Sequence, residues 1–210
     1  MVDPKIITLK KDQISVKVKE IARLRIDIFR EFPYLYDGDL DYESKYLKKF
    51  ANTPDSIIII LQDGDKIVGA ITGLPLFYEE PNVRAPWIDN GLEVDGVYYF
   101  SEILLYSKYR GKGYGAKIFA LAEKTVATFN RYNQISLATV VREDDHPLKP
   151  KHYVALDYFW QARGYERKSN FICHIPWKDL TESEETNKPL VFWLKNINLI
   201  CQISNSMEKF

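Results

Sequence analysis

The chain has 210 residues, of which 46% are hydrophobic and 28% are charged, a composition typical of a soluble globular protein. Its 29 Lys and Arg residues balance 29 Asp and Glu residues, so no net charge draws it to nucleic acid or to an anionic membrane. Two cysteines, Cys173 and Cys201, are too few for a disulfide framework, and the histidines form no metal-ligand motif. The longest aliphatic run, Ile57 to Leu61, is far shorter than the ~20 residues that span a bilayer. We therefore expect a cytoplasmic protein with no metal, no nucleic-acid partner and no membrane contact.

Apolar residues recur along the chain at spacings that predict both helices and strands. Between Val18 and Phe32 they fall at steps of three and four, which predicts an amphipathic helix that Pro33 ends. Asp63-Gly64-Asp65 predicts a hairpin, because Gly tolerates the positive φ of a tight turn. The predicted elements, in chain order, are a strand (Ile6–Leu9), two helices (Val18–Phe32, Tyr42–Phe50), three strands (Ser56–Gln62, Lys66–Leu74, Tyr98–Tyr106), a helix (Gly115–Phe129), a strand (Gln134–Val141), a helix (Tyr153–Arg163) and two strands (Phe171–Ile175, Leu190–Leu194).

The order of these elements indicates an α/β domain with a mixed sheet. No linker or internal repeat divides the chain, so we expect one domain over residues 1–195 and a short C-terminal extension over residues 196–210. The last strand, Leu190–Leu194, could pair with its counterpart in a second copy and form a homodimer.

A glycine-rich turn, Arg110-Gly111-Lys112-Gly113-Tyr114-Gly115, lies between a predicted strand and a predicted helix. Its three glycines let the backbone approach a ligand closely, because no Cβ stands in the way. The free N–H groups of a helix N-terminus bind phosphate oxygens, and Arg110 and Lys112 add positive charge beside them. The turn therefore predicts a pyrophosphate cradle; the alternative is a turn that only connects strand to helix.

Two nucleotide-binding motifs also contain glycines at similar spacings. Gly111-x-Gly113-x-x-Ala116 formally satisfies the dinucleotide fingerprint, but four residues, 107–110, separate it from the strand. The window near Asn130 to Ile135, where that fingerprint needs an acidic residue, contains none. The P-loop pattern is absent. A nicotinamide-dependent oxidoreductase is accordingly the weakest of the three interpretations of the turn.

Arg110-x-x-Gly113-x-Gly115, after a strand and before a helix, resembles the motif of the GCN5-related N-acetyltransferases, the GNAT superfamily. Trp160-x-x-x-Gly164-Tyr165 resembles that family's aromatic-x-x-x-Gly-Phe/Tyr element. The resemblance, which extends from Ile6 to Leu194, implies a mixed, mostly antiparallel seven-stranded sheet flanked by about four helices. It also implies transfer of an acetyl group from acetyl-CoA, the co-substrate, to a primary amine by direct attack in a ternary complex.

The resemblance also assigns residues to the coenzyme. The strand before the turn parts from its neighbour in this family, so that its backbone binds the pantetheine arm and one N–H stabilises the thioester oxyanion. The turn holds the pyrophosphate. The residues assigned by position are Ile103, Leu104, Leu105, Arg110, Gly111, Lys112, Gly113, Tyr114, Gly115, Ala116 and Trp160.

The catalytic groups are less clearly specified. The family often places a carboxylate base on the strand before the turn, which corresponds to Glu102; the alternative is a carboxylate on a solvated face. The usual acid, a Tyr four residues before the later Gly, is replaced by Trp160, whose indole N–H has no useful acidity. Tyr153 or Tyr158 could substitute for it, or the thiolate could leave unassisted. The alternative to a catalytic role for Tyr158 is that it packs as an aromatic residue in the core.

The resemblance places the acceptor between the loop Pro33–Asp41 and the segment Phe77–Trp87. Acidic residues there would suit a cationic amine, namely Asp37, Asp39, Asp41, Glu79 and Glu80. Asp144-Asp145-His146-Pro147 resembles a segment of bacterial-type family members that reaches the acceptor, although such a turn is more often merely solvated. The replacement of the usual Tyr by Trp160 keeps a second hypothesis open, a non-catalytic acyl-CoA sensor with the same fold.

Overall fold

Seven strands form one mixed sheet in the computed structural model, which describes residues 3–197. The strands lie in the order β1-β2-β3-β4-β5-β7-β6, and β4 and β5 are the one parallel pair among the described strands. This confirms the predicted seven-stranded, mostly antiparallel sheet. The strands are β1 (Lys5–Thr8), β2 (Ile57–Asp63), β3 (Lys66–Pro75), β4 (Val97–Leu105), β5 (Gln134–Val140), β6 (Glu166–Trp177) and β7 (Thr186–Asn196).

Five α-helices cover the sheet, one more than expected, together with 3₁₀ turns at Leu76–Tyr78 and Ser107–Tyr109. The helices are α1 (Lys11–Phe29), α2 (Leu40–Asn52), α3 (Pro81–Ile88), α4 (Tyr114–Thr128) and α5 (Asp157–Gln161). The unpredicted helix is α3, whose two prolines are signals against a helix. Pro81, however, occupies the first helical position, where a missing N–H costs nothing, and α3 buries Val83 and Trp87. None of the helices described over residues 3–197 is long and apolar enough to cross a membrane.

The predicted helix Tyr153–Arg163 is wrong over most of its length, since α5 covers only Asp157–Gln161. Helical stability in proteins comes mostly from packing of an apolar face, and this segment has little of it. Val154 is 79% exposed and Tyr158 is 80% exposed, whereas Trp160 is buried. Tyr158 is therefore not the packed aromatic residue that the sequence suggested.

Strand β7 lies inside the sheet, with β5 on one side and β6 on the other. The expectation that Leu190–Leu194 pairs across a dimer is therefore wrong, because both of its edges are already hydrogen-bonded within the chain. A homodimer formed through another surface stays a prediction, and the predicted extension over 196–210 lies outside the described residues apart from Asn196 and Ile197.

The two faces of the sheet carry different helices. Helix α4 packs on one face with Trp160 of α5, around Phe100 and Phe119. Helices α1 and α2 pack on the other face, around Leu104. Helix α3 covers the β6–β7 end of the sheet, where Trp87 contacts Phe192. The boundary between β4 and β5 lies near the middle of this arrangement.

Candidate active site

Strands β4 and β5 part in the middle of the sheet. Their pairing begins at Val97↔Gln134 and ends at Phe100↔Leu137. Beyond this point β4 continues to Leu105 against β3, and β5 continues against β7. The backbone of β4 from Ser101 onward thus has no strand on its β5 side within the described residues. Its polar groups on that side can bind a ligand, apart from the Leu105 carbonyl, which accepts from Arg110.

A β-bulge lies at this parting. Thr72 faces Glu102 and Gly73 faces Phe100, so Ser101 has no partner on β3. A bulge of this kind breaks the alternation of side chains along a strand. Ser101 and Glu102 consequently both point to the α1–α2 face: Ser101 binds Glu79 there, and Glu102 binds Thr72.

The glycine turn joins β4 to α4 as the sequence predicted. Gly111 and Gly113 have φ angles of 71° and 80°, a region that favours glycine, and Gly113 is the N-cap of α4. A Cβ built at either position meets no atom within 4 Å, so the space over the turn is open. The N–H groups of residues 111–116 have no hydrogen-bond partner among residues 3–197. The turn therefore offers unpaired donors facing open space, which suits phosphate oxygens.

Charge around the turn is distributed differently from the expectation. Arg110 folds back: its Nε donates to the carbonyl of Leu105 at 2.8 Å, and its Nη1 lies 2.8 Å from Glu31 Oε2. It thereby closes the end of β4 rather than presenting an unpaired charge. Lys112 and Lys117 are exposed and form no ion pair with a described residue. Tyr114 donates its hydroxyl to Asp3 at 3.2 Å.

The other residues assigned to the coenzyme line two different faces. Ile103 and Leu105 pack against the α4 core, whereas Leu104 is buried against α1 and α2. Trp160 is a core residue, with its ring centroid 5.4 Å from that of Phe119. Its indole N–H is buried and has no acceptor among the described residues. A buried donor without a partner is costly, so this group has capacity for a ligand atom.

Glu102 is neither an isolated base nor a solvated carboxylate. It is 6% exposed and forms an ion pair with the guanidinium of Arg25, which also pairs with Glu43. The guanidinium lies over the ring of Tyr46, 4.3 Å from its centroid. One permanent cation thus holds two buried carboxylates.

A third buried carboxylate lies beside the bulge. Glu79, which is 6% exposed, accepts from Ser101 Oγ at 3.1 Å and from Lys49 Nζ at 2.8 Å. The sequence suggested Glu79 only as one of several acidic residues near the acceptor. Its contact with Ser101 depends on the bulge, which no local sequence signal shows.

Of the two tyrosines proposed as acids, Tyr153 lies before α5, and Tyr158 lies within it with its side chain exposed. Tyr153 is half-buried in the segment before this helix. Its ring packs edge-on against that of Phe32, with 4.7 Å between the two ring centroids. Burial, and then the charge of Asp157, raise the pKa of Tyr153, so its phenol keeps its proton at neutral pH. Burial and the neighbouring Tyr153 likewise raise the pKa of Tyr34 to about 12.

Arg142, which follows β5, holds the loop that the sequence placed at the acceptor. Its Nε donates to the carbonyl of Pro33 at 2.7 Å, and its Nη2 donates to Tyr34 at 2.8 Å and to Asp179 at 2.9 Å. Trp177 Nε1 donates to Asp179 at 2.8 Å. This contact network was missed because its members are far apart in sequence.

Most of the acidic residues expected to attract an amine have structural partners. Asp39 caps α2 through the N–H groups of Asp41 and Tyr42. Asp37 pairs with Lys178 at 2.7 Å, and a hydrogen bond from that lysine lowers the pKa of Asp37. Glu79 is also paired, whereas Asp39, Asp41 and Glu80 form no ion pair with a described residue.

His146, in the Asp144–Pro147 turn, accepts from the Leu148 N–H at 3.2 Å and lies near Phe32, with ring centroids 5.6 Å apart. Among residues 3–197, no group of three or more His, Cys, Asp or Glu side chains is placed to hold a metal.

Residues 21–150 match the model of a family described as the acetyltransferase (GNAT) family. The matched segment covers more than half of the chain and includes the parting of β4 and β5, the bulge and the glycine turn. No curated protein sequence matches the chain.

Solved structures share the fold at low sequence identity. A ribosomal-protein-alanine N-acetyltransferase from Brucella melitensis has a TM-score of 0.59 at 11% identity, covering 92% of this chain and 99% of that one. A GNAT-family acetyltransferase from Streptococcus pneumoniae has a TM-score of 0.57 at 12% identity, covering 93% and 99%. An aminoglycoside 6'-acetyltransferase type Ii has a TM-score of 0.55 at 17% identity, covering 94% and 99%. At such identities the likeness establishes the fold alone.

Proposed function

The chain belongs to the GNAT family of acetyltransferases, and we propose that it moves the acetyl group of acetyl-CoA to a primary amine by direct attack in a ternary complex. The observation that carries this proposal is the parting of β4 from β5 immediately before the glycine turn. Free strand backbone next to free helix N–H groups suits a ligand with a polar arm and a pyrophosphate. Acetyl-CoA has both parts.

The coenzyme would be held mainly by backbone groups that have no partner within the described residues; the Leu105 carbonyl is the exception, because Arg110 donates to it. The N–H groups of residues 111–116 would bind the pyrophosphate, with Lys112 and Lys117 nearby. The backbone of Ile103 to Leu105 would bind the pantetheine arm beside the open edge of β4. The unpaired indole N–H of Trp160 is a further donor for the buried part of the coenzyme.

The amine would approach from the α1–α2 face and attack the thioester carbonyl. A backbone N–H of β4 near the bulge would stabilise the oxyanion, and one such donor contributes about 10²–10³ in rate when correctly placed. Glu102 was proposed as the base, but the guanidinium of Arg25 already occupies its carboxylate. Tyr153 is protonated at neutral pH and is the proposed acid. A thiolate with an ordinary pKa of ~8.5 can also leave unassisted.

Calorimetric titration with acetyl-CoA tests the coenzyme half of the proposal. Wild type should bind, and Gly113→Glu should abolish binding, because the added carboxylate occupies the cradle and repels phosphate. The matched control is Gly91→Glu, at another glycine of positive φ (69°) with open space around it. The control incurs a similar backbone cost and should retain affinity. Unchanged affinity in Gly113→Glu would contradict the pyrophosphate assignment.

The second candidate is an acyl-CoA sensor without chemistry, favoured by Trp160 in place of the usual Tyr. Release of free thiol in the presence of amines separates the two candidates. The panel should include an aminoglycoside and a peptide with an N-terminal alanine, since solved neighbours carry these acceptors in their names. Binding of acetyl-CoA without thiol release for any amine would support the sensor. The cytoplasmic location stays a prediction.

A further inference from the structure

Three buried carboxylates lie on the α1–α2 side of β4, and they differ in what holds them. Glu43 and Glu102 share the guanidinium of Arg25, a cation that does not lose its proton in proteins. Glu79 instead pairs with Lys49, a titratable ammonium whose side chain is 24% exposed. Of the three, Glu79 is therefore the one whose cationic partner is partly exposed to solvent.

The position of Ser101 connects Glu79 to the parting of the strands. Ser101 immediately follows Phe100, the last residue of β4 that pairs with β5. It is also the bulged residue opposite β3. It is partly exposed, and its hydroxyl donates to Glu79 Oε1 at 3.1 Å. A hydroxyl thus stands between a buried carboxylate and the open edge of β4.

The groups that face Glu79 remain protonated. From α2, Tyr46 has its pKa raised by burial and then by the charge of Glu79. From β4, the pKa of Tyr99 is raised well above its ordinary value by burial first, with Glu79 contributing. From β6, burial raises the pKa of Cys173 to about 12, and Glu79 adds to the shift. None of these three competes with Glu79 as a proton acceptor at neutral pH.

Arg25 of α1 is a second cation near Glu79, and it is already paired with Glu43 and Glu102. Its guanidinium lies over the ring of Tyr46, 4.3 Å from the ring centroid. Lys49 lies over the same ring at 4.2 Å. The local field of Glu79 is therefore balanced mainly by Lys49, its direct partner.

We propose that Ser101 and Glu79 form the proton relay of the acetyl transfer. The bound ammonium passes a proton to Ser101 Oγ while the Ser101 hydroxyl proton passes to Glu79 Oε1, and the neutral nitrogen then bonds to the thioester carbonyl carbon. The C–S bond breaks, and the departing thiolate takes up the second proton that the nitrogen loses as the amide forms. Glu79 then loses its proton to solvent and restores its ion pair with the Lys49 ammonium, which stays charged throughout. This inference rests on the proposed function.

Ser101→Ala removes the relay while leaving a small side chain that the bulge can accommodate. We expect kcat/KM for the amine to fall about 10²-fold at pH 7, within the range for general-base catalysis. The loss should shrink as pH rises to 9, because more of the amine then enters already neutral. Ser101→Thr keeps a hydroxyl and should retain most of the activity.

Glu79→Gln should behave like Ser101→Ala, and the double variant should lose no more than either single variant, since the two residues act as a unit. Acetyl-CoA affinity, measured by calorimetry, should be unchanged in all of them. Glu93→Gln, at an exposed position, is the charge-matched control and should match wild type.

The outcomes distinguish a failure of the proposed acetyl transfer from a failure of the Ser101–Glu79 relay alone. Wild type that releases no thiol with any amine would overturn the proposed function and the relay together. An active wild type with Ser101→Ala within twofold of it at every pH would overturn the relay alone. A pH-independent loss in Ser101→Ala would also overturn it, because that is the effect of a purely structural contact. Ser101→Ala decides the question even if Glu79→Gln fails to fold.

Discussion

The two faces of the sheet are packed with different chemistry. On the α4 face, Phe119 contacts Phe100, Trp160 and Tyr165 in an aromatic core that contains no buried ion pair among the described residues. On the α1–α2 face, buried carboxylates and cations lie among apolar residues. An apolar core tolerates substitution according to volume, whereas a buried charge network depends on every partner. The charged face is also the one from which we propose that the amine approaches.

The largest effect is expected from Arg25→Met, which breaks the charged face at its centre. It leaves Glu43 and Glu102 buried without their cation, so unfolding free energy should fall by about 3–5 kcal/mol. Urea denaturation measures this, with Arg23→Met on the exposed side of α1 as the matched control. A loss under 1 kcal/mol would mean that the network contributes little to stability.

A smaller effect is expected from Arg142→Met. Asp179 keeps Trp177 and Lys188 as neighbours, so we expect a loss of about 2–3 kcal/mol in unfolding free energy. The loop at Pro33 loses its hydrogen-bond donor, so KM for the amine should rise while acetyl-CoA affinity stays constant. Arg167→Met, at an exposed position, controls for loss of charge. If acetyl-CoA affinity fell instead, the loop would serve to bind the coenzyme and not the amine.

Trp160→Phe tests the packing of the aromatic core on the α4 face. The smaller ring leaves a cavity but also removes the unpaired indole N–H, so the net stability loss should be only about 1–2 kcal/mol. Acetyl-CoA affinity should weaken if the indole donates to the coenzyme. Phe159→Leu, on the neighbouring partly buried residue, provides a packing control. Unchanged coenzyme affinity in Trp160→Phe would leave Trp160 with a packing role alone.

The smallest effect is expected from Glu182→Gln, away from both faces. A hydrogen bond from Lys188, followed by one from the Asp179 N–H, lowers the pKa of Glu182 from 4.5 to about 2. Because the folded-state pKa is the lower one, the stabilisation is present above pH 4.5 and is lost as pH falls toward 2. At pH 7 the variant should lose about 1 kcal/mol or less, since the carboxylate is partly exposed.

The measurement for this prediction is a series of denaturation curves from pH 7 to pH 2. The difference between wild type and Glu182→Gln should vanish at the acid end, and Glu184→Gln, in the same loop, should show no such trend. A difference that persisted at pH 2 would contradict the assigned cause.

The sequence predicted the parts of the molecule that local signals determine. The glycine turn was found because Gly111 and Gly113 are close in sequence and their φ angles require glycine. The length of the helix before Gly164 was overestimated, because apolar residues of this segment, such as Val154, face solvent instead of a core. Glu102 was located on its strand, but its partner Arg25 is 77 residues away and no spacing relates them. The bulge at Ser101 depends on pairing with β3 and has no local signature.

Initial velocities with acetyl-CoA and amine both varied test most directly whether the two substrates meet at the parting of β4 and β5. Direct attack needs both bound together, so double-reciprocal plots should intersect, and no acetylated protein should accumulate with acetyl-CoA alone. Parallel lines, with an acetyl group found on the protein, would contradict the account.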